Sequence, residues 1–479
     1  HKDGFILTVI HTNDIHAHFE ESNKGGGTCS ENNKRNNQCF GGVARILTKV
    51  KELKARAKYP LFLNAGDFYQ GTVWYTVHRH KIVSEVMSRM MYDAVCLGNH
   101  EFDDGPEGLV PFLRRMAAAH VDVLGTNVDT SQEPKMEGVQ PRRSVVYTIE
   151  GQKVGVMGVV TTETRTIAKP GLVKIFDEIA SIREEVAQLR RQGVRIFILI
   201  SHVGYAKDIE IANAVPELQL IVGGHTNTFL YSGIPRQEDV IEGPYPTVME
   251  RADGSFALVV QDFWFRKYLG HIRLRFNNYG KLTGWGGNPI LLDQSIPEDR
   301  GMMRLLATYK TQVERAGKEY IGFTKVLLEA TNKVCRTKEC NMANLIADAF
   351  LAHYADRKSA VPNAWSDVNA AVVNGGATKS SIQQGIRVAY NFARRAWQRV
   401  VHLEILCANC SIPKYEPVQW KNTYRIVTTS YIANGGDGFT FQSCFFVSGA
   451  IDSEVVNKYI RKVSPIKQAE EGRVTMYNN

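Results

Sequence analysis

No stretch of the 479 residues approaches the ~20 consecutive apolar positions that a bilayer-crossing helix requires. The opening HKDGF has neither the charged start nor the apolar core of an export signal, and the closing EEGRVTMYNN has no apolar tail of the lipid-anchor kind. The chain therefore reads as a mature, soluble protein. Internal repeats and low-complexity tracts are absent as well, which sets aside solenoids, propellers and disordered linkers. Acidic residues are outnumbered, 49 Asp and Glu against 58 Lys and Arg, for a net charge of +9. That balance favours encounter with anions such as nucleotides, with weak glycan binding through the basic surface as a further expectation. The basic residues are scattered rather than interleaved with aromatics, which argues against nucleic acid as a partner.

Cysteine is sparse. The eight fall into three close pairs, Cys29 with Cys39, Cys335 with Cys340 and Cys407 with Cys410, plus the singles Cys96 and Cys444. Local pairs suit an oxidising compartment. Cys407 and Cys410 also have the spacing of half a zinc knuckle, although no second pair completes it. Cys96, inside AVCLG, reads as a buried, inert thiol.

What the chain does have is enough length for two domains and a clear alternation in the first. From residue 5 to about 230, short β-rich apolar runs alternate with amphipathic stretches, as in a layered α/β domain. The expected strands are 5–10, 60–65, 94–97, 121–125, 154–160, 195–200 and 218–222. Ile179, Ile182, Val186 and Leu189 recur at helical spacing, with Gly193 as a stop signal. A further β-rich stretch covers 257–275. The expected division is a domain over 1–296, a connecting helix over 297–318, and a smaller α/β domain over 319–479 that begins with a helix around Met342 to Phe350.

Chemistry-bearing residues gather at the ends of these strands. Asp14 and His16 follow the first, Asp67 the second, Asn99, His100 and Asp103 the third, His202 the sixth, and His225 and Asn227 the seventh. In an open α/β sheet that rim is where loops converge on a ligand. One such residue is ordinarily a solvated or core side chain, whereas five clusters in register point to a metal centre. His11, His18, His78 and His80, taken singly, read as ordinary loop or core histidines.

In order, D-x-H, GD, GNHE-x-D, a solitary His and GH-x-N resemble the calcineurin-like metallophosphoesterase signature. GDFYQGTVWYTV, LGNHEFDDG, GGHTNTFLYSG, CRTKECNMANLIADA and YIANGGDGF resemble, more narrowly, the 5'-nucleotidase and apyrase family. The resemblance implies that Asp14, His16, Asp67 and Asn227 hold one divalent cation, and that Asp67, Asn99, His202 and His225 hold a second, so that Asp67 bridges. Zinc is the expected metal, with manganese or cobalt as alternatives. Such a pair acidifies a water and clamps the attacking and leaving oxygens of a phosphoryl displacement. His100, oriented by Asp103, would reach the phosphate. The second domain would supply the nucleoside pocket through Arg336, Asn374, Lys379, Tyr431 and Asp437. The implied activity is metal-dependent removal of phosphate from AMP, or from ADP and ATP.

Two departures qualify that reading. Lys379 stands where the family has an arginine, keeping charge but losing the planar fork. After Gly385 the chain runs directly into IRVAYNFARRAWQ, matching the family only once a block containing the partner aromatic of Tyr431 has been skipped; Phe392 and Trp397 are weak candidates to replace it. The competing function is therefore a catalytically weakened relative that binds nucleotides, a receptor or a glycan. Oligomeric state is left open by the sequence.

Overall fold

Alternation along Phe5–Thr12 sets the layering: Leu7 and Val9 are buried against one partner and Ile10 against another, as successive strand residues must be. The structure, a computed structural model, describes residues 4–24, 27–237, 239–264, 267–329, 332–335, 338–356, 364–373, 382–384, 386–391, 393–395, 398–429, 432 and 452–477. It divides into two units, His1–Lys318 and Glu319–Asn479.

The first unit contains two facing sheets. One runs, in spatial order, Leu282–Gly287, Tyr268–Phe276, Phe5–Thr12, Pro60–Asn64, Ala94–Cys96 and Asp122–Leu124. The last four of these strands are parallel, and Tyr268–Phe276 pairs antiparallel to Phe5–Thr12. The other runs Thr247–Glu250, Phe256–Val260, Leu218–Gly223, Ile196–His202, Gln152–Val160 and Ser144–Ile149, with antiparallel strands at both edges. Leu7, Val9, Leu61 and Leu63 meet Val154, Val156, Ile198 and Val222 between the sheets. Helices Val43–Arg56, Gly105–Ala118 and Arg300–Gly317 bury their apolar faces on the outside of the first sheet. Glu178–Arg191 and Tyr205–Ala214 do the same on the second. The result is four layers, helix, sheet, sheet, helix.

This corrects one expectation. The seven strands read from the sequence do not share one sheet: four belong to the first and three to the second. A period of two says which side chains face a neighbour but not which sheet provides it. Both sheets nevertheless direct the C-terminal ends of their parallel strands to one rim.

Smaller expectations are met. Cys96 is a buried free thiol, pushed well up by burial, and Cys29–Cys39, Cys335–Cys340 and Cys407–Cys410 are disulfides. His11 is a core residue whose Nε2 lies 2.7 Å from the Tyr245 hydroxyl. Burial, helped by His271, lowers its pKa to about 3. Its folded pKa is depressed, so its contribution to stability is complete above the ordinary value near 6.5 and is lost as the pH falls towards about 3. At ~1.4 kcal/mol per unit the full effect is a few kcal/mol. Metal-free protein should melt progressively earlier between pH 7 and pH 4.5, and His11→Gln should flatten that slope; parallel slopes in the two proteins would exclude His11 as the source.

In the second unit, Asn341–Ala355 and Asp452–Val463 pack against Ala370–Val373, the centre of a three-stranded sheet. A four-stranded sheet runs Tyr415–Pro417, Val400–Leu406, Ile386–Asn391 and Val474–Tyr477. Arg473 grips Asp348 at 2.7 and 3.1 Å, a bidentate pair. Among the described residues no helix is long and apolar enough to cross a membrane.

Candidate metal centre

The loops leaving the parallel strands turn sharply, and the turns place ligand-type side chains in the left-handed backbone region. Asp14, His16, Asp67, His225 and Asn227 have φ of 47°, 48°, 52°, 75° and 56°. Non-glycine residues adopt that region at a cost, and such residues gather at functional sites. The first sheet contributes Asp14, His16, Asp67 and Asn99, and the second His202, His225 and Asn227.

Backbone carbonyls orient two of the imidazoles. His202 Nδ1 lies 2.6 Å from Ala65 O and His16 Nδ1 lies 3.2 Å from Tyr69 O. A carbonyl only accepts, so each Nδ1 carries a proton and each Nε2 is left as a donor atom for a cation. His202 Nε2 is 3.0 Å from Asp67 Oδ2 and 3.2 Å from Asn99 Oδ1. His16 Nε2 is 3.8 Å from Asp67 Oδ2 and 3.7 Å from Asp14 Oδ1. Two sets of metal-competent atoms, His16, Asp67 and His100, and Asp67, His202 and His225, each lie within 4.8 Å of one another. Asp67 belongs to both. Asp14 is tied to the His225 amide at 3.0 Å and to Asn13 Nδ2 at 2.8 Å. Asn227 Oδ1 is buried and meets no hydrogen-bond donor, the situation of an amide oxygen placed for a cation.

The electrostatics fit. Burial pushes Asp14 up, with Asp67 as a further cause. Burial would also raise Asp67, but His202, His100 and His16 outweigh it and hold the carboxyl well below the usual range. His202 in turn is carried up to about 9, Asp67 and Asp14 overcoming the effect of burial. Burial lowers His16, so the charge of Asp67 is balanced by His202 and His100, and such a carboxylate among imidazoles forms a site in which divalent ions can take the place of protons. The carboxylate, amide and imidazole donors suit such ions.

His100 stands slightly apart. Its Nδ1 is 2.7 Å from Asp103 Oδ2, and its ring is edge-on to His16 at 5.3 Å. Burial lowers its pKa, but Asp67 and Asp103 more than compensate and raise it to about 10. The ring is therefore a charged donor whose side chain is still 36% exposed.

Sequence reasoning missed Glu101. Fully buried, it accepts four backbone N–H groups, those of Asp67, Phe68, Tyr69 and Gly98. The available signal was its own place in the GNHE-x-D motif, directly after His100. Asn13, which steadies Asp14, was missed too. Arg336, Asn374, Lys379, Tyr431 and Asp437, with Phe392 and Trp397, all lie outside the described residues.

The chain matches the calcineurin-like phosphoesterase family over residues 7–229, and the 5'-nucleotidase C-terminal domain over 320–385 and 378–443. It is 34% identical over 538 residues to Protein 5NUC of Lutzomyia longipalpis, covering 99% of this chain and 94% of that one. It is 33% identical over 542 residues to a snake venom 5'-nucleotidase of Crotalus adamanteus, covering 98% and 89%. The solved 5'-nucleotidase precursor from Thermus thermophilus is similar with a TM-score of 0.76 and 32% identity, covering 99% of this chain and all of that one. Both sequence alignments are longer than the 479 residues here, so the relatives carry positions with no counterpart in this chain.

Proposed function

The chain belongs to the 5'-nucleotidase family and is a 5'-nucleotidase-type phosphohydrolase, and from that premise we propose that it removes phosphate from extracellular nucleoside 5'-phosphates, AMP foremost. The observation that carries the proposal is Asp67, one carboxylate common to two groups of cation-binding atoms. In this reading Asp14, His16, Asp67 and Asn227 would hold one cation, and Asp67, Asn99, His202 and His225 the other, the mixed carboxylate, amide and imidazole donors suiting zinc first, with manganese or cobalt as alternatives. Two such ions, when bound, make water a competent nucleophile at neutral pH and offset charge on phosphate oxygens. His100, fixed through Nδ1 by Asp103, turns Nε2 towards the phosphate and donates a hydrogen bond to it.

In the second unit, Arg336 and Lys379 would pair with the phosphate, Tyr431 would stack on the base, and Asn374 and Asp437 would bind the rest of the nucleoside. The match to the 5'-nucleotidase C-terminal domain supports this, and its two stretches meet at residues 378–385, where the sequence reading places a missing block. We read that block as lost from this chain, which leaves Tyr431 without its second aromatic and weakens nucleotide binding. The domain division proposed is 1–296, 297–318 and 319–479. Secretion is supported by three disulfides and by the resemblance to a venom enzyme.

Phosphate release from AMP, ADP and ATP, measured side by side on chelator-treated and zinc-restored protein, tests the proposal. AMP should be hydrolysed only with zinc restored, and with a high KM. Zinc-loaded protein that releases phosphate from no nucleotide and no aryl phosphate would instead be the weakened, binding-only relative.

A further inference from the structure

Where Asp67 comes closest to the Asn99 loop, two irregular backbones pack without side chains between them. A Cβ on Gly98 would lie 2.3 Å from Asp67 Oδ1 and 2.5 Å from Asp67 N. A Cβ on Gly66, whose φ is 83°, would lie 2.7 Å from Gly98 N. Loop N–H groups buried this way have no sheet partner and need an acceptor.

Glu101 is that acceptor for both loops at once. Its Oε1 receives Phe68 N and Tyr69 N, each at 2.9 Å, and its Oε2 receives Asp67 N at 2.9 Å and Gly98 N at 2.6 Å. A second tie runs from His100 N to Asp67 Oδ1 at 3.0 Å. Among the described residues its hydrogen-bond partners are all backbone N–H groups.

We propose that Glu101 is a positioning residue of the metal centre, its carboxylate fixing the bridging Asp67 relative to Asn99 and thereby the spacing of the two cation positions. The inference rests on the two-cation reading above. Both oxygens are fully used, so shape without two acceptors, or charge without length, does not suffice. Glutamine has the same shape but offers one acceptor oxygen and turns an amide N–H₂ against two N–H donors. Aspartate keeps the charge but is one methylene too short to reach all four.

The test compares Glu101→Gln and Glu101→Asp with the unaltered chain in three measurements: circular dichroism and melting in chelator, zinc retained per chain against buffered free zinc, and kcat and KM for AMP at limiting and excess zinc. Both variants should fold without metal as the parent does. The free zinc needed for half-occupancy should rise about 10- to 100-fold in Glu101→Gln, the usual scale for a group that orients ligands. At limiting zinc kcat should fall, and it should recover in excess zinc while KM for AMP stays within about twofold. The proposal is overturned if both variants hold zinc at the parental concentration. It is equally overturned if both lose their metal-free fold, because the tie would then serve the fold and not the cations. An unaltered chain that retains no zinc would overturn the two-cation reading, and this inference with it, a result distinct from either of the others.

Discussion

Asp67→Asn should remove phosphatase activity by about a thousandfold or more, several kcal/mol of transition-state stabilisation at ~1.4 kcal/mol per factor of ten, and should leave the protein with at most one zinc. The reason is geometric. Asp67 Oδ2 faces His202 Nε2 at 3.0 Å and His16 Nε2 at 3.8 Å, while Oδ1 accepts the His100 amide at 3.0 Å. Asparagine can supply one oxygen but not two, and a neutral amide offsets little of the charge of paired divalent ions. Removing the charge also removes what raises His202 towards about 9. The metal-free variant should therefore melt earlier than the metal-free parent, because the ionised carboxylate and the imidazolium it supports both stabilise the fold at neutral pH and the neutral amide replaces neither. Zinc content by atomic absorption, phosphate release, and melting in chelator form the check. A variant that keeps two zinc ions, or a tenth of the activity, would show that Asp67 does not bridge.

His100→Ala should lower kcat by about 10²–10³, the usual loss when one charged donor to a developing negative charge is removed, with zinc content unchanged. That pairing of outcomes decides between two roles the structure permits. His100 lies with His16 and Asp67 in a group able to hold a cation, and with its Nδ1 taken by Asp103 its Nε2 can meet either a cation or the phosphate. A ligand would carry zinc away when deleted; a phosphate donor would not. Asp103→Asn should show the same pattern at smaller size, because the ring remains while its orientation and charge weaken. Zinc lost in proportion to activity in His100→Ala would reassign the residue to the ligand set.

Much of this site was legible from local pattern. Asp14 and His16 follow an apolar strand at a spacing that lets both reach one point, and Asp67, Asn99, His202 and His225 each follow another such strand. Asn227 was legible in the same way, two residues past His225, and its buried amide oxygen meets no donor. Glu101 was hidden because its role depends on N–H groups more than thirty positions earlier in the chain, which no local period encodes. The division of the strands between two sheets was hidden for a similar reason. Val154 and Leu7 are both simply apolar strand residues until tertiary packing sets them face to face. The nucleoside pocket was read from residues that the structure does not describe, so its chemistry still rests on the sequence.

The split of the ligands between the sheets has a mechanical consequence. On the proposed ligand set, ions held jointly by Asp67 from one layer and His202 from the other would act as a rivet through two plates, resisting their separation at one end of the sandwich. Ligand that binds only the folded chain adds about 2.7 kcal/mol of stability at a hundred times its dissociation constant. If the proposed site holds, metal supply would thus govern durability along with turnover, and selection for a long-lived fold would act on the same side chains as selection for speed.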